Sequence, residues 1–360
     1  MDEQSVDEHL VTGTGPASVV RHLFPWRAVV APWLLSRVIS ITVMLIAIND
    51  PYRGSKFTQF AQKWDGAYYI GIARTGYGPV NVPDPRWAFA PGLAGVVRVL
   101  RELGDEQVLL FILNQAVLLL ALAGVYRIAR RYGNDRAALL AVWSLALFPA
   151  SFVFSMSYPS SMFLAATVWA FVFVDDGHDI PAAILAAGAA LLRPNGLIIA
   201  LSLAVAVKTA RRIAVVVTPA VLALAAWCWY CWDQTGDPLV FITTKEKWQE
   251  ITAIGVFTGA GKWSAVPHLV LAVAGIGVVI WQRKRLPVAF LVLTAFSLLP
   301  SLVTGMVGLA RYTNECFPPF VAAGMVLEKW KTKWQVAALA TSAVGLILFA
   351  TIVARYDLVP

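Results

Sequence analysis

Charged residues are scarce in this chain. Of its 360 residues, 14% are Asp, Glu, Lys or Arg and 59% are hydrophobic, and the mean hydropathy is +0.68. Soluble domains carry about 25% charged and about 45–50% apolar residues, and a single soluble core stops growing at about 250–300 residues. Protein alone therefore cannot cover this apolar surface. The composition excludes a soluble enzyme, a secreted disulfide scaffold and a disordered regulator.

Cysteine is also scarce, and two sequence signals are missing. Cys228, Cys231 and Cys316 are too few for a disulfide framework. The first two form a C-x-x-C inside an apolar run, without a second Cys pair for zinc, so we expect inert thiols. Residues 1–16 are acidic and polar, unlike a signal peptide. The sequence has no D-x-D motif of the kind that holds the metal of a nucleotide-sugar.

The apolar residues form continuous runs, whereas the strands of a transmembrane barrel alternate apolar and polar positions. Continuous runs of about 20 apolar residues predict spanning helices. The sequence therefore predicts an all-α polytopic membrane protein with about eleven spans. These are 29–48, 107–126, 137–155, 161–174, 181–193, 195–207, 213–231, 264–281, 286–304, 316–327 and 335–353.

The net charge of +8 comes from basic connectors between these spans, so it predicts topology and no nucleic-acid partner. Lys and Arg accumulate in cytoplasmic loops. Placing the basic connectors inside puts the N-terminus in the cytoplasm and the C-terminus outside. We expect a disordered tail over 1–27, one transmembrane domain over 28–355, and outer loops over 49–106 and 232–263. The first outer loop contains two predicted interfacial helices, Phe57–Ala73 and Phe89–Leu103.

The densest polar and aromatic cluster is the segment Lys63–Tyr77 in the first outer loop. On a helix, Asp65 and Tyr69 share one face. A carboxylate at the mouth of a membrane cavity can accept a proton from a substrate hydroxyl. The same residues also fit an interfacial aromatic belt in which Asp65 caps a helix. The residues alone leave both interpretations open.

The segment Trp64–Tyr77 resembles the signature W-D-[GA]-x-x-[YF]-x-x-I-A-x-x-G-Y of the PIG-V-like mannosyltransferases. This family includes the enzyme that adds the second mannose to glycosylphosphatidylinositol anchors, together with bacterial relatives. Ser160 stands where the family usually has Glu, and Ala94 where it has a second Pro. Further matches follow in the family's order: Phe89–Gly92, Ser157–Phe163, Arg193–Gly196, Gly236–Leu239 with Trp248, and Arg311–Tyr312 with Phe317–Pro318.

This resemblance implies the GT-C glycosyltransferase fold. It implies an inverting transfer of mannose from a polyprenyl-phosphate donor to a glycolipid or glycan hydroxyl at the outer face of a bacterial plasma membrane. A phosphate leaving group needs cations rather than a general acid. No cofactor is predicted, and a divalent cation is left open. Another sugar from the same kind of donor, or a non-catalytic transporter or interaction subunit, are the alternatives.

Each predicted site residue has one expected role. Asp65 is the catalytic base. Arg311, Arg193 and Lys63 hold the donor phosphate, with Arg74 and Arg86 as further candidates, because arginine grips phosphate through parallel hydrogen bonds and charges at the ends of apolar helices are costly. Snorkelling to lipid headgroups is the alternative for each arginine. The expected substrate contacts are Trp64, Tyr68, Tyr69, Tyr77, Tyr158, Asn195, Tyr312 and Trp248.

Overall fold

The computed structural model describes residues 25–48, 55–79, 84–246, 266–304 and 308–356. Within these ranges the chain is helical and contains no β-strand. The α-helices are α1 Trp26–Ala47, α2 Lys56–Ala61, α3 Asp65–Thr75, α4 Pro91–Arg101, α5 Glu106–Tyr132, α6 Asp135–Ala146, α7 Ser160–Asp175, α8 Asp179–Leu192, α9 Leu197–Ala206, α10 Ala210–Thr235, α11 Val240–Glu246, α12 Val266–Trp281, α13 Val288–Thr304, α14 Leu309–Glu315, α15 Pro318–Leu327 and α16 Thr332–Tyr356.

Each of the eleven predicted spans contains a helix, which confirms the all-α membrane architecture. Four helices in the described ranges, α1, α5, α10 and α16, are long and apolar enough to cross a bilayer. The prediction of one helix over 137–155 is wrong at its end, because α6 stops at Ala146 and a 3₁₀ helix follows over Ser151–Ser155. A turn over residues 147–150 and this 3₁₀ helix replace its second half.

Basic connectors over 127–136, 208–212 and 329–333 lie at one end of the bundle. Carboxylates and polar side chains at the adjacent helix ends pair with them, and these contacts tie α5 to α7, α10 to α8, and α6 to α16. Helix α7 ends and helix α8 begins at this end. Ser160 at the start of α7 and Arg193 after the end of α8 therefore lie at the opposite end. The pairs are Arg127 and Arg131 with Asp176, Arg212 with Asp179, and Arg136 with Gln335.

An irregular segment between α6 and α7 runs through the interior, and polar side chains satisfy its backbone carbonyls. Arg37 of α1 donates to the carbonyl oxygen of Ser151 at 2.9 Å and to Oγ of Ser155 at 2.9 Å. Asn114 of α5 donates to the carbonyl oxygen of Met156 at 2.8 Å. Buried carbonyls need such partners, so these side chains fix the path of the segment toward α7.

The described parts of the predicted first outer loop pack onto the opposite end of the bundle. The prediction of one helix over Phe57–Ala73 is wrong, because a turn over residues 62–64 separates α2 from α3. The predicted helix over Phe89–Leu103 is observed as α4, with Leu93, Ala94 and Val97 on its buried face. This apolar face lies against the bundle and holds the loop in place.

Candidate functional site

The joint between α2 and α3 places Asp65 at the start of a helix. Trp64 has φ 55° and ψ −123°, the only positive φ of a non-glycine residue in the described ranges. A side chain at positive φ is strained. Gly66 fits against α2, since a Cβ there would lie 2.6 Å from the carbonyl oxygen of Ala61. The backbone therefore turns sharply at Trp64 and presents Asp65 in the first turn of α3.

Asp65 forms an ion pair with Arg311. Its Oδ2 lies 2.6 Å from Nη1 of Arg311, which is on the short helix α14. Trp64 occupies the N-cap position, and no side chain caps α3. The interpretation of Asp65 as a helix cap is therefore wrong. Its charge still lies at the helix N-terminus, where a negative charge is favourable.

Arg193 forms a second ion pair, with Glu315 at the end of α14. The distance from Nη2 of Arg193 to Oε1 of Glu315 is 2.7 Å. Ser160, in the first turn of α7, donates its hydroxyl to the same oxygen at 2.5 Å. All three residues are buried. Ser160 stands where the PIG-V-like family usually has Glu, and here it contacts the carboxylate of Glu315 from another helix.

Tyr312 lies between the two arginines and joins the two ion pairs into one site. The guanidinium carbons of Arg311 and Arg193 each lie 5.4 Å from the centre of its ring. Tyr158 is on another side of Arg311, with 5.0 Å from ring centre to guanidinium carbon. The hydroxyl of Tyr158 donates to the carbonyl oxygen of Lys63 at 3.1 Å. The arginines are therefore held by aromatic faces as well as by carboxylates.

The two guanidinium groups keep unused hydrogen-bonding capacity. In the part of the chain that the structure describes, Nη2 of Arg311 and Nη1 of Arg193 make no hydrogen bond, and both Nε atoms are buried without a partner. Asn314, beside them on α14, is fully buried with both amide atoms unpartnered. The site can therefore accept a ligand that brings hydrogen-bond acceptors and negative charge.

The remaining tyrosines of the predicted site all contact Phe89. Tyr68 stacks on Phe89, and Tyr69 meets the same ring edge-on, with centroids 5.0 Å apart in both pairs. The hydroxyl of Tyr77 donates to the carbonyl oxygen of Phe89 at 2.9 Å, and burial raises the pKa of this tyrosine. Tyr77 also stacks on Trp87 with centroids 4.6 Å apart. These contacts hold α3 against the segment that leads into α4.

A cavity of about 390 Å³ lies beyond these rings, between α3, α4, α8 and α10. Its walls are mainly apolar and include Ile72, Tyr77, Leu191 and Trp227, and Arg98 lies at its edge. Ile72 shares the helix face of Asp65 and Tyr69, and Leu191 is two residues from Arg193. The cavity wall thus includes residues of the two helices that lead to Asp65 and Arg193, although neither ion pair lines it.

Three basic residues of the prediction lie apart from the arginine pair. Lys63 donates through Nζ to the carbonyl oxygen of Ala354 near the end of α16 at 3.0 Å. Arg74 pairs with Glu106 at the start of α5. Arg86 pairs with Asp84 at 2.6 Å, and its hydrogen bonds hold the pKa of the Asp84 carboxyl below its ordinary value.

Of the last two predicted substrate contacts, Asn195 is described by the structure and Trp248 is not. Asn195 lies in the 3₁₀ helix Pro194–Gly196 and lines a small cleft that also includes Tyr312 and Glu315. Trp248 lies outside the described residues.

Glu315 is the residue that sequence reasoning missed. It lies four residues after Arg311, so both side chains share one face of a helix, and this spacing was the available signal. A carboxylate at the end of an otherwise apolar segment is costly unless paired. The predicted spans end at 304 and resume at 316, so Glu315 falls in a connector, where a single Glu has no special meaning.

The two carboxylates of the site, Asp65 and Glu315, do not form a metal centre with other described residues. In the described ranges, no group of three or more His, Cys, Asp or Glu residues is arranged to hold a metal ion. The two site carboxylates each bind an arginine instead. Divalent cations of the Mg²⁺ type need several oxygen ligands, and this donor set does not supply them.

The fold is similar to that of the archaeal oligosaccharyltransferase AglB from Archaeoglobus fulgidus. Its apo structure gives a TM-score of 0.53 at 14% sequence identity, over 93% of this chain and 57% of that one. Its complex with an inhibitory peptide and a dolichol-phosphate gives 0.51 at 14% identity, over 92% and 56%. Its complex with Zn and sulfate gives 0.51 at 14% identity, over 91% and 53%. The chain spans just over half the length of these matches.

The predicted GT-C fold is confirmed by this similarity. No protein-family model and no curated protein matches the chain. The chain is therefore an integral membrane protein with the GT-C fold.

Proposed function

We propose that this protein transfers a sugar from a polyprenyl-phosphate donor to a hydroxyl of a glycolipid or glycan. The observation that carries the proposal is the cluster at the end of the bundle, where two buried arginines with open nitrogens adjoin an accessible carboxylate. Such a transfer needs two kinds of group. Cations bind the donor phosphate, and a carboxylate accepts the proton of the acceptor hydroxyl.

The chemistry follows from the roles of these groups. The acceptor hydroxyl oxygen attacks the anomeric carbon from the face opposite the phosphate, and its proton passes to Asp65. The bond from the anomeric carbon to the phosphate oxygen breaks, and its electron pair leaves with the phosphate. Arg311 and Arg193 stabilise the charge that develops on this leaving group. The configuration at the anomeric carbon is therefore inverted.

Mannose is the sugar that the resemblance to the PIG-V-like family supports. The motif Trp64–Tyr77 carries this resemblance, and its residues form the joint and the aromatic contacts around Asp65. The archaeal neighbour was solved with a dolichol-phosphate, a lipid phosphate of the proposed donor class. An outward-facing site in a bacterial plasma membrane completes the proposal, with another sugar as the alternative.

The test is transfer from radiolabelled polyprenyl-phosphate-mannose to membrane glycolipids by the purified protein. Asp65→Asn keeps the shape of the side chain and removes its basicity, so transfer should fall by about 10²–10⁴-fold. Asp84→Asn is the matched control, because Asp84 is also an aspartate paired with an arginine in the outer loop. Equal activity of the two variants would reject Asp65 as the base, and no transfer by the wild type with any polyprenyl-phosphate sugar would reject the function.

A further inference from the structure

We propose that the ion pair between Asp65 and Arg311 is exchanged when the donor binds. The donor phosphate takes the place of the carboxylate on Arg311, and the freed carboxylate of Asp65 becomes the proton acceptor. The inference rests on the proposed function and adds an order to it: the base is released only after the donor has arrived.

The access to Arg311 carries the first step of the argument. Its Nε is buried, and its Nη1 lies 2.6 Å from Oδ2 of Asp65, which leaves Nη2 as the nitrogen that is neither buried without a partner nor bonded to a described residue. A phosphate bound by two parallel hydrogen bonds needs two neighbouring nitrogens. Since Nε cannot be reached, the second nitrogen is Nη1. The phosphate and the carboxylate then meet at one nitrogen as neighbouring negative charges, so the binding of one disfavours the other.

The surroundings decide which partner moves. The side chain of Arg311 is 6% exposed and lies against the rings of Tyr158 and Tyr312, whereas that of Asp65 is 21% exposed. The carboxylate also follows the strained residue Trp64, so the backbone beside it has a conformation that gains from relaxation. Arg311 stays in place, and Asp65 is the partner that can turn away.

The second ion pair is fixed by the same criteria. The Glu315 side chain is 2% exposed, and its Oε1 accepts from both Arg193 and Ser160. A carboxylate that is enclosed and bonded twice has no open path to leave. Of the two carboxylates, only that of Asp65 is placed to exchange.

The exchange links the two halves of the reaction. A carboxylate held by an arginine is a poor proton acceptor, because the cation stabilises its charged form. When phosphate takes over the arginine, the carboxylate loses this stabilisation at the moment when an electrophilic carbon is present. The site thus withholds its base from a hydroxyl acceptor until a donor occupies Arg311.

Binding of a synthetic polyprenyl phosphate, without sugar, to the protein in detergent tests the exchange. If phosphate and carboxylate compete for Nη1, Asp65→Asn removes the competitor and should tighten binding by about tenfold or more. Glu315→Gln is the matched control, because it also removes one negative charge from a buried arginine. It should leave the affinity unchanged or weaken it.

The remaining outcomes separate the exchange from the proposed function. Arg311→Ala should lose most binding, and unchanged binding there would refute the phosphate site itself. Weaker binding in Arg311→Ala together with unchanged or weaker binding in Asp65→Asn would overturn the exchange and leave the phosphate site standing. Equal tightening in Asp65→Asn and Glu315→Gln would show a general effect of charge and would also overturn it. Elution as a monodisperse peak confirms that each variant is folded.

Discussion

Ser160 and Glu315 meet at the site although 155 positions separate them in the chain, with 2.5 Å from the Ser160 hydroxyl to Oε1 of Glu315. The serine donates to a buried carboxylate whose other bonded partner is Arg193. The hydrogen bond therefore links α7, α14 and the end of α8. A small hydroxyl at position 160 is what lets the carboxylate of α14 reach the arginine.

Removal of this hydroxyl should cost more stability than removal of its neighbour. Ser160→Ala loses a hydrogen bond to a charged group, worth about 1.5–3 kcal/mol. Ser161→Ala is the control, because Ser161 is equally buried but donates to a neutral carbonyl, that of Phe154, at 3.2 Å. That bond is worth about 0.5–1.5 kcal/mol. Thermal unfolding in detergent gives the comparison, and a larger loss in Ser161→Ala would contradict the charged bond.

Substitution of Trp64 should reverse the usual order of alanine and glycine. Both Trp64→Ala and Trp64→Gly remove the indole, but only glycine adopts φ 55° without strain. Positive φ costs a side chain of order 1–3 kcal/mol. Trp64→Gly should therefore unfold at a higher temperature than Trp64→Ala in the same detergent assay. The difference in the free energy of unfolding should be about 1 kcal/mol. The opposite order would mean that the backbone at this joint is not strained.

Two glycines of α3 should respond to alanine in opposite directions. At Gly66 the added methyl would lie 2.6 Å from the carbonyl oxygen of Ala61, so Gly66→Ala must shift the joint that places Asp65, and transfer activity should fall. At Gly71 a Cβ meets no atom within 4 Å. Gly71→Ala should stabilise the helix by about 0.5–1 kcal/mol and keep activity. Loss of activity in both variants would disprove the specific contact.

The two ends of the bundle should face opposite sides of the membrane. Lys56 lies in the first outer loop and Lys331 in a basic connector, and both are exposed. In a chain without native cysteines, Lys56→Cys should react with an impermeant maleimide from outside intact cells. Lys331→Cys should react only after the membrane is opened. Labelling of both from one side would refute the topology.

Much of this architecture can be predicted from the sequence, because lipid imposes one rule on every span. Continuous apolar runs must form helices, so each of the eleven runs contains one. The errors fall where polar side chains replace the regular backbone pattern. Arg37 and Asn114 satisfy carbonyls of the turn that ends α6 early, and no local pattern shows this pairing over more than forty residues.

The candidate site was predictable in its members but not in its pairings. Asp65, Arg193 and Arg311 stand out because each is a charged residue beside apolar sequence. Their partners do not stand out, since the choice between phosphate and carboxylate for an arginine depends on distances in space. Glu315 was missed for this reason: its meaning comes from Ser160 and Arg193, which are far away in the chain.

The oxygen shell around Arg37 has a consequence for how the chain is made. Its hydrogen-bond partners on Ser151 and Ser155 follow it by 114 and 118 positions. A ribosome thus releases α1 long before these oxygens exist, and a lone arginine at a helix centre costs about 2.5–3.5 kcal/mol during insertion. Nascent chains that end before Ser151 should leave α1 less fully inserted than chains that include Ser160, and Arg37→Leu should abolish this difference. The serine turn thereby sets the time at which the first helix settles in the bilayer.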